Sequence, residues 1–265
     1  MEQALAYNYR REGHSTTLAL LHGFTGSAAS WNPHIVAFSD VADVLAVDAP
    51  GHGNSPAPAD PALYSLPHTT EAFLKLLDIL NLSRVVLLGY SMGGRQALHI
   101  ATTAPERLEK LVLESATPGI IDPAERVARR ESDGKLADFM EREGLETFVN
   151  HWENIPLFAS QKQLSLTVRA AQRVQRLQNN PVGLTNSLRG AGTGTQEPLH
   201  AKLKKLQIPA LLIAGELDLK FCAIAQQMHE LIPQSHLEIV QEAGHTVHLE
   251  KPDEFDRLVL DFLKI

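Results

Sequence analysis

The stretch "SRVVLLGYSMGGRQAL", residues 83–98, decides the fold. It begins as an apolar run of strand length and ends with helical spacing, and G-Y-S-M-G stands at the junction. A G-x-S-x-G motif between a strand and a helix is the setting of a nucleophile elbow. Gly89 and Gly93 lack Cβ atoms and can crowd a strained turn that lifts the Ser91 hydroxyl clear of the sheet. The helix starting behind Ser91 supplies N–H groups and a positive dipole end, both suited to a developing oxyanion.

Working outward, "TTLALLH" (16–22), "DVLAVDA" (43–49), "EKLVLES" (109–115), "IPALLIAGE" (208–216) and "SHLEIV" (235–240) are further strand-length runs. Residues 67–81 place Phe73, Leu76, Leu77 and Leu80 on one helical stripe, and the helix over 92–105 stops at Pro105. This alternation predicts an α/β fold, with a mostly parallel sheet flanked by helices. It lapses between 118 and 205, a charged stretch without a clear strand and too long for a structureless loop. The expected layout is a core of residues 1–117 and 206–265, with 118–205 inserted as a helical cap. The small-residue run "RGAGTGTQEP" (189–198) reads as a hinge or connection.

The chain of 265 residues carries a net charge of −7, which argues against a general nucleic-acid binder. Its single cysteine, Cys222, cannot form an intrachain disulfide. "MEQALAYNYRREGHS" lacks a basic start followed by an apolar run, and no apolar stretch is long enough to span a bilayer. A cytoplasmic protein is expected.

A serine nucleophile needs a base, and the base needs an orienting acid. In this layout the order is Ser, acid, His. "AGELDLKF" offers Asp218 just past a strand, and "EAGHTVHLEKP" offers His245 before the last helix. Asp48, Glu114 and Glu216 compete for the acid position. Asp48, in "DAPGHGNS", is expected to shape a loop, and Glu216 points away from Asp218 if the pleat persists. His248 is expected to enter the helix as a structural or supporting residue, and His22 and His52 to belong to turns. The two oxyanion donors are expected to be the backbone N–H groups of Phe24, in "LLHGFTGS", and Met92.

"HGFTGS", "DAPGHGNS", "GYSMGG", "GELD" and "GHTVHLEKP", in this order over nearly the full length, resemble the α/β-hydrolase superfamily. That resemblance implies the fold and leaves the reaction open.

Positive charge is the discriminating feature. Residues 161–205 hold eight Lys or Arg against the single Glu197, a local +7 that leaves −14 for the rest. Arg169, Arg173 and Arg176 share one helical face, and Arg126, Arg129 and Arg130 cluster in "PAERVARRESDGK". Arginine suits bidentate carboxylate binding, and Arg95 extends that chemistry to the first turn after Ser91. The glutamate-rich segment 131–146 reads as a solvated face. A cap folded over the sheet would build a pocket for a small polycarboxylate.

"GYSMGGR", "PAERVARRESD", "WENIPLFAS", "ELDLKF" and "AGHTVHLEKP" are similar to the 2-succinyl-6-hydroxy-2,4-cyclohexadiene-1-carboxylate synthase family of menaquinone biosynthesis. The resemblance implies removal of pyruvate from a cyclohexene bearing three carboxylates, without cofactor or metal. It implies a Ser91–His245–Asp218 triad, with Ser91 acting as a base. It further implies Arg95, Arg129 and Arg176 as carboxylate binders, with Tyr90, Trp152 and Lys220 lining the pocket. Arg126 or Arg130 could replace Arg129, and Arg173 could replace Arg176. Glu153 stands where the family commonly has an aromatic residue. The expected partner is a small tricarboxylate, with no nucleic acid and no membrane, and the expected state is a monomer or small homo-oligomer. Hydrolysis of an ester or C–C bond is the alternative reaction.

Overall fold

The computed structural model describes residues 4–264. Residues 1–3 and 265 lie outside it. They belong to the expected core segments and, at the start, to the leaderless reading.

Seven strands form one sheet: β1 (Tyr7–Arg10), β2 (Thr17–Leu21), β3 (Asp43–Val47), β4 (Val85–Tyr90), β5 (Leu108–Glu114), β6 (Ala210–Gly215) and β7 (Ser235–Val240), in spatial order β1-β3-β2-β4-β5-β6-β7. Six of these match the apolar runs. β1 gave no such signal, because "YNYR" is a short, largely exposed edge strand, antiparallel to β3. Every other pairing is parallel.

The helices are α1 (Asn32–Ser39), α2 (Leu66–Ile79), α3 (Met92–Thr103), α4 (Pro123–Glu143), α5 (Leu145–Trp152), α6 (Leu166–Leu177), α7 (Pro181–Ala191), α8 (His200–Leu203), α9 (Leu219–Leu231), α10 (Val247–Glu250) and α11 (Pro252–Lys264). Among the described residues, none is long and apolar enough to cross a membrane.

Alternation along the buried strands divides the core. Ala19, Leu21, Val85 and Leu87 face Phe73, Leu76 and Leu77 of α2, Leu98 of α3 and Met228 of α9. Leu18, Leu20, Val86 and Leu88 face Trp31, Phe38 of α1, and Phe255 and Val259 of α11. Fully burying one such large side chain contributes about 1.5–3 kcal/mol.

Between β5 and β6 the chain is helical, and α4, α5 and α7 share a smaller core of Ala137, Met140, Phe148, Val149, Leu184 and Leu188. The run 189–198 is not a loose hinge. Gly190 abuts the Pro61 carbonyl, and Gly194 abuts the Arg126 carbonyl and the Arg130 amide, so its glycines serve close backbone approach.

From β2 the chain moves outward to β3, then returns past β2 to β4 and continues to β7. The direction therefore reverses between β2 and β4. At the carboxyl ends of those strands the following loops part and leave a crevice, the usual ligand position in open α/β sheets.

Candidate active site

Ser91 occupies the end of β4 at that crevice with φ +50° and ψ −105°, a conformation that L residues avoid and that costs on the order of 1–3 kcal/mol. Neighbouring packing enforces it. A Cβ on Gly89 would run into the Gly93 backbone, and one on Gly93 would collide with the Leu21 and His22 carbonyls. The Ser91 N–H donates to Glu114 O on β5 (2.8 Å), and Ser91 O accepts from Arg95 N (3.0 Å), so the turn is tied to sheet and helix alike.

Asp218 follows β6 and caps α9, its Oδ1 accepting the Phe221 N–H (3.3 Å). Its Oδ2 accepts from His245 Nδ1 (2.7 Å), and His245 Nε2 faces Ser91 Oγ at 3.0 Å. With the Nδ1 proton engaged by a carboxylate, the Nε2 lone pair is free to take the serine proton. His245 is 1% exposed, with the Phe221 ring 4.5 Å away and Tyr90 and Phe158 beyond it. Water is thereby kept from the imidazole.

The other acids and histidines are engaged elsewhere. Asp48 accepts the Ala28 and Asn54 amides (2.6 and 2.9 Å) and so shapes its loop. Glu216 accepts the Glu242 amide. Glu114, fully buried, accepts both the backbone N–H (3.0 Å) and Nδ1 (2.7 Å) of His248, whose ring lies between Trp31 and Tyr90. His22 accepts the Ala49 amide at Nε2 and donates from Nδ1 to Gly23 O. His52 packs against His22 and Phe24. Burial and the neighbouring His22 hold its pKa down at about 3.

The turn after β2 closes through Gly26 N–H to Gly23 O (3.0 Å), and Asn179, just beyond α6, donates to Thr25 O (2.8 Å). Phe24 is thus held on the wall that Ser91 shares. Met92 opens α3, so its N–H has no acceptor within the helix.

Phe24, Tyr90, Ser91, Met92, Arg95, Arg129, Trp152, Lys220 and His245 line one cavity of about 200 Å³. Asp218 stands behind His245, outside that lining. Arg176 borders a second cavity of about 450 Å³, which shares Phe24, Tyr90 and Phe158 with the first. Tyr90 is anchored by its hydroxyl to Thr246 Oγ1 (2.6 Å), and Gln161 donates to the same oxygen (3.0 Å). Trp152 packs on Phe24, Phe148 and Phe158 with its buried indole N–H unpartnered, a donor available to a ligand.

The arginines divide by environment. Arg95 is 8% exposed and donates to Ala191 O (2.7 Å). Burial, with Arg129 adding to it, pushes its guanidinium down to about 10. Arg129 pairs with Asp133 (2.8 Å), whereas neither Arg126 nor Arg130 lines the cavity. Arg176 is buried, lies over the Phe158 ring and pairs with Glu153 (3.3 Å). Arg173 is half-buried between Glu153 and Glu146.

Two expectations about charge need correction. The basic stretch does not converge on Ser91. Arg169 is exposed, Arg189 pairs with Asp138 and Glu141, and Lys202, Lys204 and Lys205 face solvent, where hydration outweighs any focused field. The segment 131–146 is not wholly solvated either, since Asp133, Ala137 and Met140 are buried. Asp133 is not among the residues expected from the sequence, although it follows Arg129 by four residues, the spacing of a helical ion pair. Phe221 was missed too, and its position three residues after Asp218 at a helix start was the available signal.

A family model described as alpha/beta hydrolase fold matches residues 16–252. A Bacillus subtilis relative, provisionally named 2-succinyl-6-hydroxy-2,4-cyclohexadiene-1-carboxylate synthase, is 47% identical over 94% of this chain and 90% of its own length. An Enterobacter protein bearing that name is 35% identical over 89% of this chain and 86% of its own. The solved structure of MenH from S. aureus superposes with a TM-score of 0.94 at 37% identity, covering 100% of this chain and 98% of that one. The chain belongs to the 2-succinyl-6-hydroxy-2,4-cyclohexadiene-1-carboxylate synthase family, within the α/β-hydrolase fold.

Proposed function

We propose that this enzyme eliminates pyruvate from 2-succinyl-5-enolpyruvyl-6-hydroxy-3-cyclohexene-1-carboxylate, giving 2-succinyl-6-hydroxy-2,4-cyclohexadiene-1-carboxylate in menaquinone biosynthesis. The observation that carries the reading beyond family membership is Arg95. This buried guanidinium faces the cavity of Ser91 and His245, and its hydrogen bond goes to a backbone carbonyl and not to a carboxylate. A neutral ester would leave unmatched the positive charge by which Arg95 and Arg129 exceed Asp133, whereas a carboxylate satisfies it.

In this reading Ser91 acts as a base. His245 Nε2 takes the hydroxyl proton, and Ser91 Oγ removes the proton next to the succinyl ketone. The N–H groups of Phe24 and Met92 stabilise the enolate oxygen. The freed electron pair forms a new ring double bond beside the ketone. The existing ring double bond shifts by one position, and the C–O bond to enolpyruvate breaks. The proton held on His245 returns to the leaving group, which departs as pyruvate, so no proton is consumed. Asp218 fixes the His245 tautomer and stabilises the imidazolium. Arg95, Arg129 and Arg176 bind the carboxylates, while Tyr90, Trp152 and Lys220 shape the pocket. The chemistry calls for no cofactor or metal, and its setting is the cytoplasm, as a monomer or small homo-oligomer.

The test is pyruvate release from the cyclohexene by purified protein, followed through lactate dehydrogenase. Wild type should release one pyruvate per substrate, and Ser91→Ala should abolish release. Absence of turnover together with rapid hydrolysis of simple aryl esters would overturn the lyase reading in favour of a serine hydrolase.

A further inference from the structure

The cavity contains a carboxylate that the elimination does not use. Among the described residues, Asp133 is the one acidic side chain on its wall. It lies one turn after Arg129 on α4, is 5% exposed, and accepts from Arg129 Nε through Oδ1 at 2.8 Å. Its other oxygen, Oδ2, is buried without a close hydrogen-bond partner; burial pushes the carboxyl's pKa up, while Arg129, Arg95 and the Gly194 backbone N–H favour the charged form. Arg95 lies close enough on α3 for the two charges to act on one another. The end of α7 closes the arrangement from above, for a Cβ on Gly192 would stand 2.6 Å from Asp133 Oδ2.

The Arg95 and Arg129 guanidinium groups and the Asp133 carboxylate together carry a single net positive charge, to which the exposed Lys220 elsewhere on the cavity lining is additional. A monoanion arriving there would neutralise it. A dianion would overshoot that cluster, and its second charge would face the buried Asp133 carboxylate, whose repulsion water screens only in part. We propose that Asp133 determines the charge specificity of the Arg95–Arg129 subsite, which admits one monoanionic carboxylate and rejects dianionic groups such as phosphate and sulfate. Specificity here comes from a built-in repulsive element as much as from the arginines that attract. The second cap arginine repeats the device, since Arg176 is paired with Glu153. The proposal rests on the reading that Arg95 and Arg129 face a substrate carboxylate.

Acetate and sulfate are suitable probes, because sulfate is a dianion at any pH used for the assay. Binding is read from thermal-shift titrations of the full-length enzyme at constant ionic strength. Wild type should prefer acetate. Asp133→Asn should bind sulfate at least about tenfold more tightly, with a much smaller change for acetate, and adding Arg95→Gln should cancel that gain. A merely structural role for Asp133 would weaken or strengthen both probes alike, and that result would overturn the proposal. So would unchanged sulfate binding by folded Asp133→Asn. Should Asp133→Asn not fold, Asp133→Ser serves instead. It also removes the charge and should show the same gain for sulfate over acetate, so unchanged sulfate binding by folded Asp133→Ser refutes the idea. These titrations read binding and not turnover, and their failure is distinguishable from a negative pyruvate assay.

Discussion

Replacing Arg95 by methionine should separate function from stability, moving the two in opposite directions. Holding this guanidinium at about 10 instead of 12.5 costs the folded protein roughly 3 kcal/mol. Because the folded-state value lies below the ordinary one, that cost is fully present at every pH below about 10. It fades only as pH rises from there toward 12.5. Methionine keeps comparable bulk and removes the charge, but it strands the Ala191 carbonyl, which gives back about 1–2 kcal/mol. The net expectation is a gain of about 1–2 kcal/mol, or a Tm rise of roughly 2–8 °C for a chain of this length. Function should move the other way. A charge-assisted contact to a carboxylate contributes about 1.5–3 kcal/mol, so kcat/KM for pyruvate release should fall about ten- to a hundredfold. Hydrolysis of a small neutral aryl ester, if any is detectable, should stay within about threefold of wild type, since Ser91, His245 and Asp218 are untouched. Calorimetry and the two kinetic assays check this. A fall in Tm with equal losses on both substrates would refute the reasoning and make Arg95 a structural strut between α3 and α7.

Further outcomes follow from the triad and the buried histidines. Asp218→Asn should lower kcat for pyruvate release about 10³–10⁴-fold with little change in KM, because an amide no longer fixes the Nδ1–H tautomer of His245. Retention of more than a tenth of the wild-type rate would argue against that role. His52 should appear in the acid stability profile. Its folded-state pKa of about 3 lies below the ordinary 6.5, so the stability it confers is complete above 6.5 and is lost as pH falls toward 3. Denaturant melts should show unfolding free energy dropping by up to about 1.4 kcal/mol per pH unit from this residue. His52→Gln should flatten that slope, and an unchanged slope would mean His52 is not the group responsible.

Legibility in the sequence tracked how local each signal was. Six strands and α2 and α3 were readable because their apolar periodicity is local and their inward faces are buried. β1 was not, since an exposed four-residue edge strand leaves no alternation to read. Ser91 and the glycines around it were legible because a strained turn permits few residue types. Charge was the weakest guide. The count of lysines and arginines over 161–205 does not reveal which reach the interior. That depends on helix phase and on acids supplied by other segments, as when Asp138 and Glu141 of α4 pair with Arg189 of α7. Arg95 was the exception, because its place in the first turn after the elbow ties it to the crevice.

The choice among the candidate acids illustrates how topology settles what spacing leaves open. Glu114 ends β5 and Asp218 follows β6, adjacent parallel strands whose carboxyl ends both face the last loop. That loop presents two histidines three residues apart, so each acid has one within reach. Asp218 meets His245 at the open crevice, next to Ser91. Glu114 meets His248 in the fully buried layer beneath, against Trp31 and Tyr90. The division follows from burial. A short aspartate capping α9 remains at the cavity's edge, where a transient imidazolium can form beside it. Glu114, a residue of the strand itself, accepts two bonds from one partner that also fix the start of α10. Through its backbone carbonyl Glu114 accepts the Ser91 amide as well, so a single residue registers the serine turn against the histidine loop. The 3.0 Å separation of Ser91 Oγ and His245 Nε2 is therefore set partly from the layer below, by an acid and a histidine that never touch the reacting atoms.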